Sequence, residues 1–178
     1  MDTMLHSDPP TIEYLDGRAY PKVSPRTGHS LVQGAMLALL RASAGRRGAV
    51  GPELRCYPAA AKRTQTSLVP DVAFVSRERL RALHDGEERE KPPFSPDVVV
   101  EVRSPSEDLR FLRKKIERYL ATGALLVLDV DPQSRTISAH SHEGVTQFTQ
   151  DMRFTHARVP WLTFDVREVF CDLDEYGL

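Results

Sequence analysis

Cysteine is nearly absent from this chain. Cys56 and Cys171 stand far apart and make no CxxC pair. That argues against a disulfide framework or a zinc ribbon and fits a reducing compartment. No sign of charge prevails either: 178 residues carry a formal net charge of −1. A general polyanion binder is thereby disfavoured, while a local basic cleft is left open. No apolar run approaches the roughly 20 residues that span a bilayer. The opening MDTMLHSDPP is polar, carries two prolines and is unlike a signal peptide. The expected location is the cytoplasm, with no membrane partner. GxGxxG and P-loop patterns are missing, and Ser104 lies in RSPS rather than GxSxG. Neither a nucleotide cofactor nor a serine nucleophile is indicated.

What is present is ordinary globular composition, with 40% hydrophobic and 28% charged residues. The length suits one domain, 1–178, with 1–11 flexible. TIEYLDGRAYPKVSP reads as a hairpin turned at Asp16-Gly17 and stopped by Pro21 and Pro25. TGHSLVQGAMLALLRASAG reads as a helix with Leu31, Ala35, Met36, Leu39 and Leu40 on a broad face and Gly45 as its stop. AVGPELRCYPA and LVPDVAFVS read as strands, and residues 77–95 as a charged, irregular excursion with a short helix at 77–84, the best candidate for a mobile loop. PDVVVEV is a buried strand, followed by a helix over about 107–122 and a second buried strand, ALLVLDVD. RTISAHSHEGVTQFT reads as a hairpin turned at Glu143-Gly144, and VPWLTFDVREVF as a short strand and helix. The strand–helix–strand step at 97–130 implies one parallel pair. The expected fold is α/β (α+β): a central mixed sheet flanked by helices, with an extra C-terminal hairpin.

Glu101 is the residue this pattern does not explain. It sits among Val98, Val99, Val100 and Val102, and a buried carboxylate must be paired, metal-bound or at a cleft. Strand alternation puts Asp97, Val99 and Glu101 on one face. Arg103, on that same face, could supply a structural salt bridge. The following helix buries a stripe of Leu109, Leu112, Ile116 and Leu120. At ~100° per residue, Lys114 points away from the sheet, while Lys115 lies on the flank, one turn before Tyr119. Lys115 is therefore the lysine able to reach Glu101. Pro70-Asp71 and Pro96-Asp97 each open a strand, the bland reading being a turn residue bonded to nearby backbone. Asp71 and Glu101 on neighbouring strands, with the carbonyl of Val102, could hold Mg²⁺, which takes oxygen ligands. With Lys115 orienting a water, that is the pattern of metal-assisted phosphodiester hydrolysis.

The blocks EYLDGRAYPKVSPRTGHS, VPDVAFVS, PDVVVEVRSPS and KIERYLATG…VDPQSRTI resemble the Uma-two family of restriction-endonuclease-like domains, within the PD-(D/E)XK nuclease superfamily. The resemblance runs over about 12–170, the expected core. It implies a metal-dependent endonuclease acting on DNA by direct water attack, with Asp71, Glu101 and Val102 as ligands. Mg²⁺ would be the cofactor, with Mn²⁺ able to substitute. The acid-x-Lys slot reads Glu101-Val102-Arg103, so the resemblance draws its lysine from the helix, at Lys115 before Tyr119. His29 matches a histidine at the cleft, and Asp97 ranks below Asp71 as a residue beside the site. Phe111 stands where the family usually has a polar residue, and Leu128 where it usually has Trp. A homodimer is compatible with double-strand cutting, which needs two sites.

Arg77, Arg79, Arg81, Arg103, Arg110 and Arg113 are candidate phosphate contacts. His140 and His142 form an HxH pair without an evident third ligand and read as surface histidines. Trp161 reads as a core or edge aromatic. The alternative from another class is an inactive nuclease-fold binding or assembly module, in which Glu101, Arg103 and Lys115 form a structural network.

Overall fold

The computed structural model describes residues 11–22, 26–58, 66–83, 86–105 and 108–178. Apart from Thr11, the segment expected to be flexible lies outside them, as does Pro25. The chain opens with a hairpin of β1 (Ile12–Leu15) and β2 (Arg18–Pro21). Its two-residue turn places Asp16 at φ 51° and Gly17 at φ 77°, the left-handed pair that matches strand twist. Helix α1 (Thr27–Ala44) follows and ends at Gly45, whose N–H donates to the carbonyl of Arg41. Its buried stripe is His29, Val32, Met36, Leu40 and Ala44, at three- and four-residue spacing. A histidine thus begins the face that meets the sheet.

Six strands form the central sheet in the order β3-β4-β5-β6-β7-β8. They are β3 (Gly48–Pro52), β4 (Val72–Ser76), β5 (Val98–Val102), β6 (Leu126–Asp131), β7 (Thr136–Ser141) and β8 (Gly144–Thr149). β5 and β6 are parallel and every other neighbouring pair is antiparallel. The parallel pair is joined by α4 (Leu109–Ala121), as the strand–helix–strand pattern predicts. Close approach of β3 to β4 requires Gly48, since a Cβ there would lie 2.1 Å from the Val75 carbonyl oxygen. The β7–β8 hairpin turns at His142-Glu143, one residue earlier than expected, and extends the central sheet. Residues 77–95 carry two short helices, α2 (Arg77–Arg81) and α3 (Gly86–Glu90). The described residues of the segment are anchored at two points. The Tyr57 N–H donates to the Pro92 carbonyl, and the Arg79 guanidinium lies 4.1 Å over the Phe94 ring.

The two faces of the sheet carry separate cores. Val98, Val100 and Val102 pack with α1 and with α5 (Arg167–Tyr176), together with Phe154 and Phe164 of the short pair β9 (Arg153–Phe154) and β10 (Phe164–Asp165). Trp161 is partly buried against this core, its ring 4.7 Å from that of Phe74. On the other face, Val99 and Val127 pack under Leu112, Ile116 and Tyr119 of α4. The alternation expected along β5 is therefore the one observed. The helix, however, is rotated from the expected stripe: its buried residues are Leu112, Lys115, Ile116 and Tyr119, while Leu109 is 55% exposed. A charged residue has taken a place on the covered face, and the reason lies in its partners.

Candidate functional site

In the antiparallel register of β4 and β5, Val72 pairs with Val100, so Asp71 and Glu101 come next and lie opposite each other. Both are buried, as is Lys115. A cavity of about 210 Å³ opens at these strand ends, with Asp71, Glu101, Val102 and Lys115 in its lining. The structure thus brings together the three residues expected to do the chemistry.

Each is held by a specific set of bonds. Asp71 Oδ2 accepts from the Val102 N–H at 2.7 Å and lies 3.2 Å from His29 Nε2. Asp71 Oδ1 has the Lys22 ammonium at 2.9 Å. Burial alone would raise the Asp71 carboxyl, but the His29 bond and the Lys22 charge outweigh it and hold the group far below the usual range. Glu101 Oε1 accepts from the Tyr119 hydroxyl at 2.8 Å, and Oε2 from Lys115 Nζ at 2.8 Å. Burial pushes Glu101 up to about 8 against the pull of Lys115, aided by the charges of Asp71 and Glu13. For Lys115, burial is outweighed by Glu101 and Glu13, so its pKa rises and the ammonium is retained.

Two residues of the site escaped the sequence reading. Glu13 is 2% exposed, accepts from the Val69 N–H at 2.7 Å and binds Lys115 Nζ at 3.0 Å. Lys22 follows β2 and touches Asp71, Glu53 and the Val69 carbonyl. The available signal for Glu13 was parity, since it shares a hairpin face with buried Leu15 while Ile12 and Tyr14 face outward. Lys22 had no local signal. At the cavity wall, Phe111 stacks on Tyr20 with ring centroids 3.8 Å apart, and Lys115 Nζ lies 5.7 Å from the Phe111 ring.

Other expected residues lie elsewhere. Arg103 does not pair with Glu101. It forms a bidentate pair with Asp129 at 2.7 and 2.6 Å and reaches Asp131 at 3.1 Å. The neighbouring parallel strand offers carboxylates closer than a residue two positions along its own strand. Asp97 opens β5 at the far end from the cavity, accepting from the Ser76 N–H and from Arg79. It is a structural residue, not one beside the site. Arg77, Arg79 and Arg81 share that far end, beyond the C-terminus of β4. Arg110 and Arg113 are exposed on α4. His140 is part-buried with Nε2 3.8 Å from Asp129, while His142 is exposed in a turn. Among the described residues, no three His, Cys, Asp or Glu side chains form a group able to hold a metal ion. No helix among them is long and apolar enough to cross a membrane.

The fold is a six-stranded mixed sheet with helices on both faces and acidic side chains at the ends of its central strands. It matches the crystal structure of a putative nuclease belonging to DUF820 from Anabaena variabilis, with a TM-score of 0.79, 21% identity, and coverage of 94% of this chain and 93% of that one. A family model, Uma2, described as a putative restriction endonuclease, matches residues 2–166, and the chain belongs to that family. No curated protein matches the chain.

Proposed function

We propose that the chain is a metal-dependent endonuclease hydrolysing DNA phosphodiester bonds by direct attack of water. One observation carries the reading: Asp71 and Glu101 meet from facing strand ends at a cavity that Lys115 also lines. The family description and the nuclease named for the similar structure support a nucleic-acid substrate. The donor set fits a hard divalent cation, being oxygen throughout. Asp71 Oδ1 already faces a cation, the Lys22 ammonium at 2.9 Å, so the position suits positive charge. Asp71, Glu101 and the Val102 carbonyl would hold Mg²⁺, with Mn²⁺ able to substitute. Such an ion supplies Lewis acidity, stabilising charge on a phosphate oxygen and acidifying a bound water.

The chain's own groups do the rest. His29 and the Val102 amide fix Asp71, while Tyr119 and Lys115 fix Glu101. Because Lys115 stays an ammonium, it acts as a hydrogen-bond donor to the attacking water and to developing oxyanion charge, not as a base. Arg110 and Arg113, exposed near the Asp108 and Phe111 wall of the cavity, suit phosphate contacts. A second reading, an inactive binding module, draws on one fact: both oxygens of Glu101 are already bonded, to Tyr119 and Lys115.

Cleavage of plasmid and single-stranded DNA with Mg²⁺ or Mn²⁺ separates the two. The wild type should cut, and Glu101→Gln and Lys115→Met should not, with circular dichroism unchanged. Absence of cleavage by the wild type, together with no metal binding by calorimetry, would leave the binding module as the better account.

A further inference from the structure

We infer that Lys22 is a tethered counter-cation standing in the ion position beside Asp71, which a divalent ion must displace in order to bind. The inference rests on the metal reading above and adds an occupant that regulates the same site. Three oxygens from three separate residues surround Lys22 Nζ: Glu53 Oε2 at 2.7 Å, Asp71 Oδ1 at 2.9 Å and the Val69 carbonyl at 2.9 Å. That is an all-oxygen cation environment filled by the chain's own ammonium. Asp71 Oδ1 is buried and paired with the Lys22 ammonium at 2.9 Å, a charge interaction that a divalent ion can take over.

Among the described residues two ammonium groups border the cavity, and one of them is placed to leave. Lys115 is 2% exposed and clamped between Glu13 and Glu101. The Lys22 side chain is 17% exposed, and its outer partner, Glu53, is 46% exposed. Lys22 can thus release Asp71 while keeping Glu53 at the rim, its flexible stem allowing the swing. Glu53 is itself fixed for this task. It adopts φ 51°, a left-handed conformation unusual for a residue with a side chain. Its N–H donates to the Asp71 carbonyl at 3.2 Å, and the Gln33 amide bonds both Glu53 Oε1 and that same carbonyl. The retreat position is therefore built into the backbone that carries Asp71.

The test titrates Mn²⁺ by calorimetry into the EDTA-treated full chain as wild type, Lys22→Met and Asp71→Asn. Removing a like charge beside the ion should tighten Mn²⁺ binding to Lys22→Met at least about tenfold, and Asp71→Asn should abolish it. A measurement on the unaltered protein avoids any question of folding: amine-reactive labelling mapped by mass spectrometry, with and without Mg²⁺. Lys22 labelling should rise severalfold with the ion while Lys115 stays unlabelled. Equal Mn²⁺ affinity for wild type and Lys22→Met, or unchanged Lys22 labelling at saturating ion, overturns the displacement and leaves the metal reading standing. No binding by any form overturns both.

Discussion

Glu101 and Asp129 stand opposite each other in register on the parallel strands β5 and β6, and they are 3% and 4% exposed. Their carboxyls nevertheless lean in opposite directions. Burial drives Glu101 up, to about 8, while Asp129 is held below the usual carboxylate value even though burial works against it. The cations explain the contrast. Lys115 is as buried as the acids it serves and is shared between Glu13 and Glu101, with Asp71 adding negative charge nearby. Asp129 receives a bidentate fork from Arg103, whose side chain keeps 30% exposure, and has His140 Nε2 3.8 Å away. Burial of the carboxylate therefore does not decide its state. How much water its cation keeps, and how many further acids crowd the carboxylate, do.

The contrast breaks most visibly on removal of the cations. Lys115→Met should lose about 3–5 kcal/mol in urea unfolding, because two buried carboxylates lose their partner. The double variant Glu101→Gln/Lys115→Met should recover part of that loss. Arg103→Met should lose less, about 1–2 kcal/mol, since its pair is partly solvated. Equal losses would mean that the two clusters are energetically alike.

Next in size is the pH response of the metal-free protein in EDTA. The folded pKa of Glu101 lies above its unfolded value, so the folded state binds a proton that the unfolded state releases. Stability attributable to Glu101 should fall as pH climbs from about 4.3 toward about 8. Asp129 has the opposite sign: its contribution is present above the unfolded carboxylate pKa and is lost as pH falls through its lowered folded value. Denaturant titrations of Glu101→Gln and Asp129→Asn across pH should therefore remove slopes of opposite sign, and slopes of one sign would defeat the assignment. The smallest effect sharpens the boundary of the site. Tyr20→Ala removes the stack on Phe111 and should lose about 0.5–1.5 kcal/mol beyond the area effect, read from the urea midpoint.

The sheet's centre was legible because its signals are local. A valine run, a charged helix and a second apolar run leave little choice but a parallel unit, and helical phase singled out Lys115. The remaining site residues depend on where distant segments land. Ile12 and Tyr14 make the hairpin look as though its apolar side faces in, yet each is 39% exposed and Glu13 is covered. Lys115 holds Glu13 inward, and within the hairpin only its shared parity with Leu15 announces that. Arg103 was assigned along its own strand because the register with Asp129 is a tertiary fact. Arg79 was expected to contact phosphate, and the fold instead brings Asp97 and the Gly123 carbonyl to it.

The bond between Glu13 and Lys115 joins residues 102 positions apart. Closing so long a loop carries an entropic penalty that only an already assembled sheet and helix can offset. The hairpin supplying Glu13 and Lys22 is short and pairs outside the central sheet. Its place is set by contacts with distant segments, at Ser67, Val69 and Lys115. A half-folded chain carries the strand-end carboxylates but not the arrangement around them, so the complete site is a property of the finished fold.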